Sequence, residues 1–240
     1  WDAVQYAERP RIHTFVSTSD FHREAKFPGV SRDELVAMGQ KAVAYAREIS
    51  AMNPRASVEF SAEAATTTDM EQVVRSALAE GADVINLPDT VGERDPFWMY
   101  NFYRHAIGWV TAENPEATIS AHNHNDLTNA VPNTLALVRA AADHAAVTGQ
   151  PVNVQLETTI GGLGERAGNA DVFPVAAGLF KFAEDYAAPV RWEFNPQRSV
   201  HVAREVMRLA GLTVGRQSPV VGHDTNVHRS GIHSAGVIKG

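Results

Sequence analysis

Short apolar or β-branched runs recur along the chain, each ending in polar residues and each followed by a longer stretch with apolar positions three and four apart. The short runs read as strands and the longer ones as amphipathic helices. Residues 11–17, introduced by Pro10, are the first predicted strand. Ser31-Arg-Asp-Glu34 has the form of a capping box, and Leu35, Ala42, Val43, Ala46 and Ile49 follow it as one apolar stripe. Residues 57–60 predict a second strand, and a second capping pattern, Thr68-Asp-Met-Glu71, leads a helix through Val74 and Leu78 to a stop at Gly81. Residues 83–87 predict a third strand; Asp95-Pro96 then opens an aromatic-rich helix with proline at its first position. The fourth strand runs from residues 117–120 into His122 and His124, and a long Ala/Leu/Val-periodic helix follows, for which Asp126 is the expected cap. Residues 152–156 predict the fifth strand, after a link over 143–151. Beyond it only helical patterns remain, over roughly 171–186 and 198–210. Residues 1–8 read as the tail of a helix, and the stretch through Pro28-Gly29 as a loop.

Strands alternating with helices predict an α/β fold with a parallel sheet. An open doubly wound sheet and a (β/α)8 barrel both fit that rhythm, and the placement of polar residues favours the barrel. Reactive side chains follow every strand: His13 and Ser17, Ser61 and Glu63, Asp89 and Thr90, His122 and His124, Glu157 and Thr158. Contributions from many successive strand ends are the habit of a barrel, whereas a doubly wound sheet gathers them at one switch point. Five βα units leave about three of the usual eight to precede them. The expectation is therefore a partial TIM barrel over residues 1–188, followed by a helical segment over 189–240.

Composition narrows the chemistry. The 240 residues are 44% hydrophobic and 20% charged, ordinary for a globular α/β chain. A net charge of −7 without a basic block argues against a nucleic-acid surface. No apolar run is long enough to span a bilayer. With no cysteine, thiol nucleophiles, disulfides and Cys-zinc sites are excluded, and the chain fits a cytoplasmic enzyme.

Two stretches carry candidate chemistry. In Ala121-His-Asn-His-Asn-Asp126, residues two apart on a strand face the same side, so His122 and His124 present two imidazoles, half of a divalent-metal site. In Gly161-Gly-Leu-Gly-Glu-Arg-Ala-Gly-Asn169, glycines permit close approach of a ligand. A plain strand-to-helix loop with Glu165 and Arg166 as a solvated pair explains that stretch equally well. It has neither the Gly-Lys-Ser/Thr of a phosphate loop nor the context of a dinucleotide turn.

These two stretches, with Asn86-Leu-Pro-Asp-Thr-Val-Gly92 and Ser230-Gly-Ile-His233, occur in this order. Together with Ile12-His-Thr-Phe-Val-Ser-Thr-Ser19 and Val58-Glu-Phe-Ser-Ala-Glu63, they resemble the 2-isopropylmalate synthase/homocitrate synthase family of metal-dependent barrel enzymes, most of all its 2-isopropylmalate synthases. The resemblance implies condensation of acetyl-CoA with a 2-keto acid such as 2-ketoisovalerate, as in leucine biosynthesis, on a divalent metal (Mg, Mn or Zn) acting as Lewis acid. Carried over by position, His122, His124 and Asn169 match metal ligands; His13, Ser61 and Thr90 match residues touching the keto acid; Glu63 matches a catalytic carboxylate. His233 matches a histidine that serves a partner subunit's site in a homodimer. On residues alone, His13 equally reads as a core histidine, Ser61 and Thr90 as turn caps, and Glu63 as a surface carboxylate. Of His223, His228 and His233, only the last is expected to function. Met99, Phe102, Phe180 and Phe182 are expected in the core.

The pattern also breaks. The family's Leu-Arg-Asp-Gly strand, whose Arg stabilises the enolate and whose Asp binds the metal, has no counterpart here: Arg32-Asp33 lies in a capping box and Arg94-Asp95 opens a helix. The chain is therefore expected to be an excerpt, inactive alone. Its long 143–151 link and Gly222-His-Asp-Thr-Asn-Val-His228 depart from the isopropylmalate pattern and keep homocitrate and citramalate synthases in play. A lyase of the same superfamily would carry a cysteine in its glycine-rich loop, which this chain lacks, and a non-catalytic fragment is the remaining alternative.

Overall fold

The computed structural model describes residues 1–67, 69–228 and 230. Five parallel strands form one sheet in the order β1-β2-β3-β4-β5: β1 (Arg11–Ser17), β2 (Ser57–Glu63), β3 (Val84–Asp89), β4 (Thr118–Asn123) and β5 (Asn153–Glu157). Every strand was legible in the apolar runs, and each pairs in parallel with its sequence neighbour. The helices are α1 (Asp20–Lys26), α2 (Arg32–Ser50), α3 (Glu71–Ala79), α4 (Pro96–Glu113), α5 (Ala130–Thr148), α6 (Val172–Lys181) and α7 (Ser199–Leu209). This is part of a TIM barrel, five consecutive βα units with the helices on the outer face.

The main core lies between sheet and helices. Val58, Phe60, Ile85, Leu87 and Ile119 of the strands pack against Leu35, Val43, Val74, Met99, Ile107 and Leu137 of the helices, all buried. Burying a side chain of this kind contributes about 2 kcal/mol. The alternate strand residues point the other way, to the inner face, and most are polar: Arg11 and His13, Glu59 and Ser61, Asn86, Ser120 and His122, Gln155 and Glu157, with Phe15 and Pro88 among them. The sheet curls enough for Arg11 Nη1 on β1 to donate to Gln155 Oε1 on β5 at 2.5 Å. A smaller core of Phe173, Ala203 and Val221, with Ile160, Val172 and Phe194 against it, holds α7 to α6 and to the loop after β5.

The capping box of α2 is present: Glu34 N donates to Ser31 Oγ at 3.2 Å and Ser31 N to Glu34 Oε2 at 2.8 Å. Asp95 caps α4, accepting from Phe97 N and Trp98 N, with proline following it. Gly81 does end the α3 segment, in a left-handed conformation at φ 95°. Several expectations need correction. Residues 1–8 form turns rather than a helix, and the supposed loop contains α1, capped by Ser19. Helix α3 starts only at Glu71 with Met70 before it, and Thr68 lies outside the described residues. The long link before β5 is mostly the last turns of α5, which runs to Thr148 and stops at Gly149, φ 73°. Asp126 does not cap α5; Asn125 Oδ1 accepts from Ala130 N instead. Met99 is buried and Phe102 packs on the core, but Phe180 and Phe182 are exposed. Among the described residues no helix is long and apolar enough to cross a membrane.

Candidate active site

The C-terminal ends of all five strands open into one cavity of ≈ 490 Å³. His13, Ser61, Glu63, Thr90, His122, His124 and Asn169 all line it, so every candidate within the described residues faces the same space. His233 lies outside the described residues.

The imidazole side of the cavity is built on β4. His122 and His124 turn their Nε2 atoms to within 3.3 Å of each other. Glu157, beside His122 in the β4–β5 register, accepts from His122 Nδ1 at 2.6 Å. That bond places a proton on Nδ1 and so makes Nε2 the nitrogen that can ligate, the usual way a carboxylate orients a ligating imidazole. His124 is buried; burial first, then neighbouring His122 and Arg166, lowers its pKa and favours the neutral ring a metal needs. Its Nδ1 is buried with no partner among the described residues. Asn169 Nδ2 stands 3.4 Å from His122 Nε2.

The glycine-rich loop exists to bring Asn169 there. A Cβ on Gly164 would fall 1.7 Å from Asn169 Oδ1, and one on Gly168, at φ 96°, would fall 2.2 Å from Gly162 O. Asn169 also bridges back to His124 in the backbone. The donor set therefore fits a divalent cation as two imidazoles and one carboxamide. Among the described residues no group of three His, Cys, Asp or Glu side chains is placed to hold an ion, so the set lacks a charged ligand.

Beneath the histidines the inner face is tied into one network. Ser120 Oγ donates to Glu157 Oε1 at 3.1 Å, and Gln155 Nε2 donates to Ser120 Oγ at 3.1 Å and to Glu59 Oε1 at 3.2 Å. Arg11 Nη1 donates to Glu59 Oε2 at 2.8 Å. Burial, then the neighbouring Glu157, pushes the Glu59 carboxyl up. For Glu157 burial acts in the same sense but is outweighed by hydrogen bonds from His122, Glu59 and Ser120, which hold it below the usual carboxylate range. Of this pair, Glu157 is the one that stays ionised beside His122.

Across the cavity, Ser61 Oγ lies 2.7 Å from His13 Nε2 and accepts from Asn86 Nδ2 at 2.9 Å. His13 is thus an inner-face residue, not a core histidine. Thr90 Oγ1 accepts from Ala64 N at 3.0 Å, which fixes the turn after β2 and leaves the hydroxyl proton available.

The HMGL-like family profile matches residues 1–182. The chain belongs to the HMGL-like family. It is 36% identical to 2-isopropylmalate synthase B of Solanum pennellii over 100% of this chain and 37% of that protein. It is 37% identical to 2-isopropylmalate synthase of Ruminiclostridium cellulolyticum (99% and 44%) and to the probable 2-isopropylmalate synthase of Methanopyrus kandleri (99% and 43%). The chain therefore spans less than half the length of these curated relatives. In fold it is similar to hydroxymethylglutaryl-CoA lyase from Pseudomonas aeruginosa, with TM-score 0.57 and 16% identity over 96% of this chain and 68% of that one. It is likewise similar to the lyase from Brucella melitensis, with TM-score 0.52 and 17% identity over 72% and 59%.

Within this HMGL-like site the sequence signal missed three contributors. Glu157 was visible as a polar strand end, but its partnership with His122 depends on the β4–β5 register. Arg11 shows only as a residue two before His13. Arg166, for which the sequence offered only a solvated pair with Glu165, also donates from Nε and Nη2 to both carboxylate oxygens of Asp126, each at 2.9 Å, and from Nη2 to Thr90 O at 2.8 Å. The solvated pair with Glu165 is present as well, at 3.7 Å.

Proposed function

We propose that this chain carries the substrate-binding and most of the metal-binding side of a synthase that condenses acetyl-CoA with a 2-keto acid. 2-Ketoisovalerate, giving 2-isopropylmalate, is the substrate pair's favoured keto component. The observation that carries this reading is the convergence of two imidazoles and a carboxamide opposite hydroxyl and carboxylate groups in one cavity, in a family member whose curated relatives at 36–37% identity are named 2-isopropylmalate synthases.

His122, His124 and Asn169 would hold a divalent cation, which when bound supplies Lewis-acid polarisation of a keto carbonyl. The chain's own groups do the rest. Glu157 keeps the His122 proton on Nδ1. The His13–Ser61 pair and the Thr90 hydroxyl present donors to the keto acid's oxygens from the opposite wall and orient it for attack. Glu63, at the mouth end of β2, takes a proton from the acetyl methyl, and the resulting carbon nucleophile attacks the keto carbon before the thioester is hydrolysed. His233 is assigned the later proton transfer, in a homodimer. The cation's charged ligand and the enolate-stabilising Arg have no counterpart among these 240 residues, so both belong to the part of a barrel that this chain does not supply.

The test is CoA-thiol release from acetyl-CoA by the full-length protein with Mg, Mn or Zn, across 2-ketoisovalerate, 2-ketoglutarate, pyruvate and glyoxylate. Release that depends on 2-ketoisovalerate and disappears in His122→Ala is the expected result. Preference for 2-ketoglutarate or pyruvate would move the reading to a homocitrate or citramalate synthase. Cation binding with no release from any keto acid would overturn condensation.

A further inference from the structure

Three loops leave the strand ends around the His122–His124 pair, and one side chain joins them. Arg166 belongs to the glycine-rich loop after β5, Asp126 to the loop after β4, and Thr90 to the loop after β3. The guanidinium takes both oxygens of the Asp126 carboxylate and the Thr90 carbonyl together. Asp126 is in turn packed closely against the β3 loop. At Gly92, φ 66°, a Cβ would lie 2.6 Å from Asp126 Oδ2 and 3.1 Å from His124 O. Only a residue without a side chain lets that carboxylate in.

Arg166 also holds a backbone conformation unfavourable to it, φ 52°, in a loop where Gly164 and Gly168 offer ready sites for such a turn. Its side chain is 41% exposed and that of Asp126 26% exposed, so the pair adds little to global stability. What it does add is geometry. A planar two-point contact fixes direction as well as distance. The residues it fixes are three positions before Asn169, at Thr90, and two positions after His124.

We propose that Arg166 is a positioning residue: its fork onto Asp126 and the Thr90 carbonyl locks the glycine-rich loop so that the Asn169 carboxamide stands beside His122, which sets the affinity of the site for a divalent cation. The inference rests on the reading of His122, His124 and Asn169 as the cation's ligands.

Two measurements on Arg166→Gln, Arg166→Lys and Asp126→Asn test it. Amide hydrogen exchange of residues 161–169 needs no cation and reads the lock directly. Titration calorimetry with Zn or Mn reads its consequence. Arg208→Gln serves as control, because Arg208 makes an equally two-pointed, exposed contact to Glu205 at the surface of α7. The expected result is faster loop exchange and about tenfold or more weaker cation binding in Arg166→Gln. Arg166→Lys, which keeps the charge but loses the fork, falls between Gln and the parent, and thermal midpoints stay within about 2 °C of the control. Loop exchange equal to the parent in Arg166→Gln would overturn the lock. Faster exchange with unchanged cation affinity would overturn its role at the site. A parent protein that binds no cation at all would overturn the ligand assignment instead, and the exchange arm would still decide the lock.

Discussion

Thr128 and Arg166 both sit at positive φ, 63° and 52°, although neither is glycine, and they differ in what they receive for it. Arg166 joins three loops. Thr128 is exposed, and its hydroxyl reaches only the carbonyl of its own neighbour Leu127. A β-branched residue in the left-handed region is strained, and glycine is not. Thr128→Gly should therefore raise stability by about 0.5 kcal/mol or more, the relief of strain exceeding the extra chain entropy; denaturant titration would show a higher midpoint with an unchanged slope. Glu157 is the opposite case, a residue whose contribution is specific. Glu157→Ala frees the His122 ring to rotate and change tautomer, and divalent-cation affinity should fall about tenfold to a hundredfold by calorimetry. At this scale the His122–His124 pair was legible because its spacing is local, whereas Asn169, 47 residues from His122, was singled out only through the family resemblance. Glu157 and Arg166 were not legible, since each meets its partner 35 and 40 residues away through strand register and loop path.

Local signals located the elements well wherever a cap and an apolar stripe agreed. Ser31 and Glu34 announce α2, and Asp95-Pro96 announces α4. Helix α1 escaped because its seven residues bury nothing, leaving no apolar stripe to detect. Asp126 misled because an acidic residue ahead of a helix is ordinarily a cap, whereas here Arg166 claims both its oxygens. Ser31→Ala should cost about 1 kcal/mol of stability, read by thermal or denaturant unfolding. The same box has a pH signature. Backbone and side-chain hydrogen bonds from Ser31 hold the Glu34 carboxyl below its ordinary value, so its stabilisation is present above the unfolded pKa near 4.3 and is lost as pH falls through the folded value. Ser31→Ala should accordingly show a shallower loss of stability between about pH 5 and pH 3 than the parent.

For the whole molecule, the alternation of strand and helix disclosed the parallel sheet, and the spread of polar residues over five strand ends distinguished a barrel from a doubly wound sheet. What could not be read was the inner face, since Arg11, Glu59 and Gln155 make sense only once the sheet has closed enough to bring distant strands together. On the outer side, Tyr103 is fully buried, and burial pushes its phenol up despite a hydrogen bond with Asn123. A raised folded pKa gives stability that is present below the unfolded value near 10 and lost as pH climbs past it. Alkaline unfolding of the parent should therefore steepen above about pH 10, and Tyr103→Phe should flatten it. The Arg11–Gln155 contact has a mechanical meaning too. Five strands laid flat would separate β1 and β5 by about 19 Å, farther than two side chains can reach. With the Gln155–Glu59 bond beside it, that contact is a chord across an arc, drawn low in the sheet while His13 and the His122–His124 pair stand on the two arms above it. Slackening such chords should be magnified toward the rim, so Arg11→Ala is expected to widen the gap between the hydroxyl-bearing wall and the imidazoles although Arg11 does not line the cavity between them.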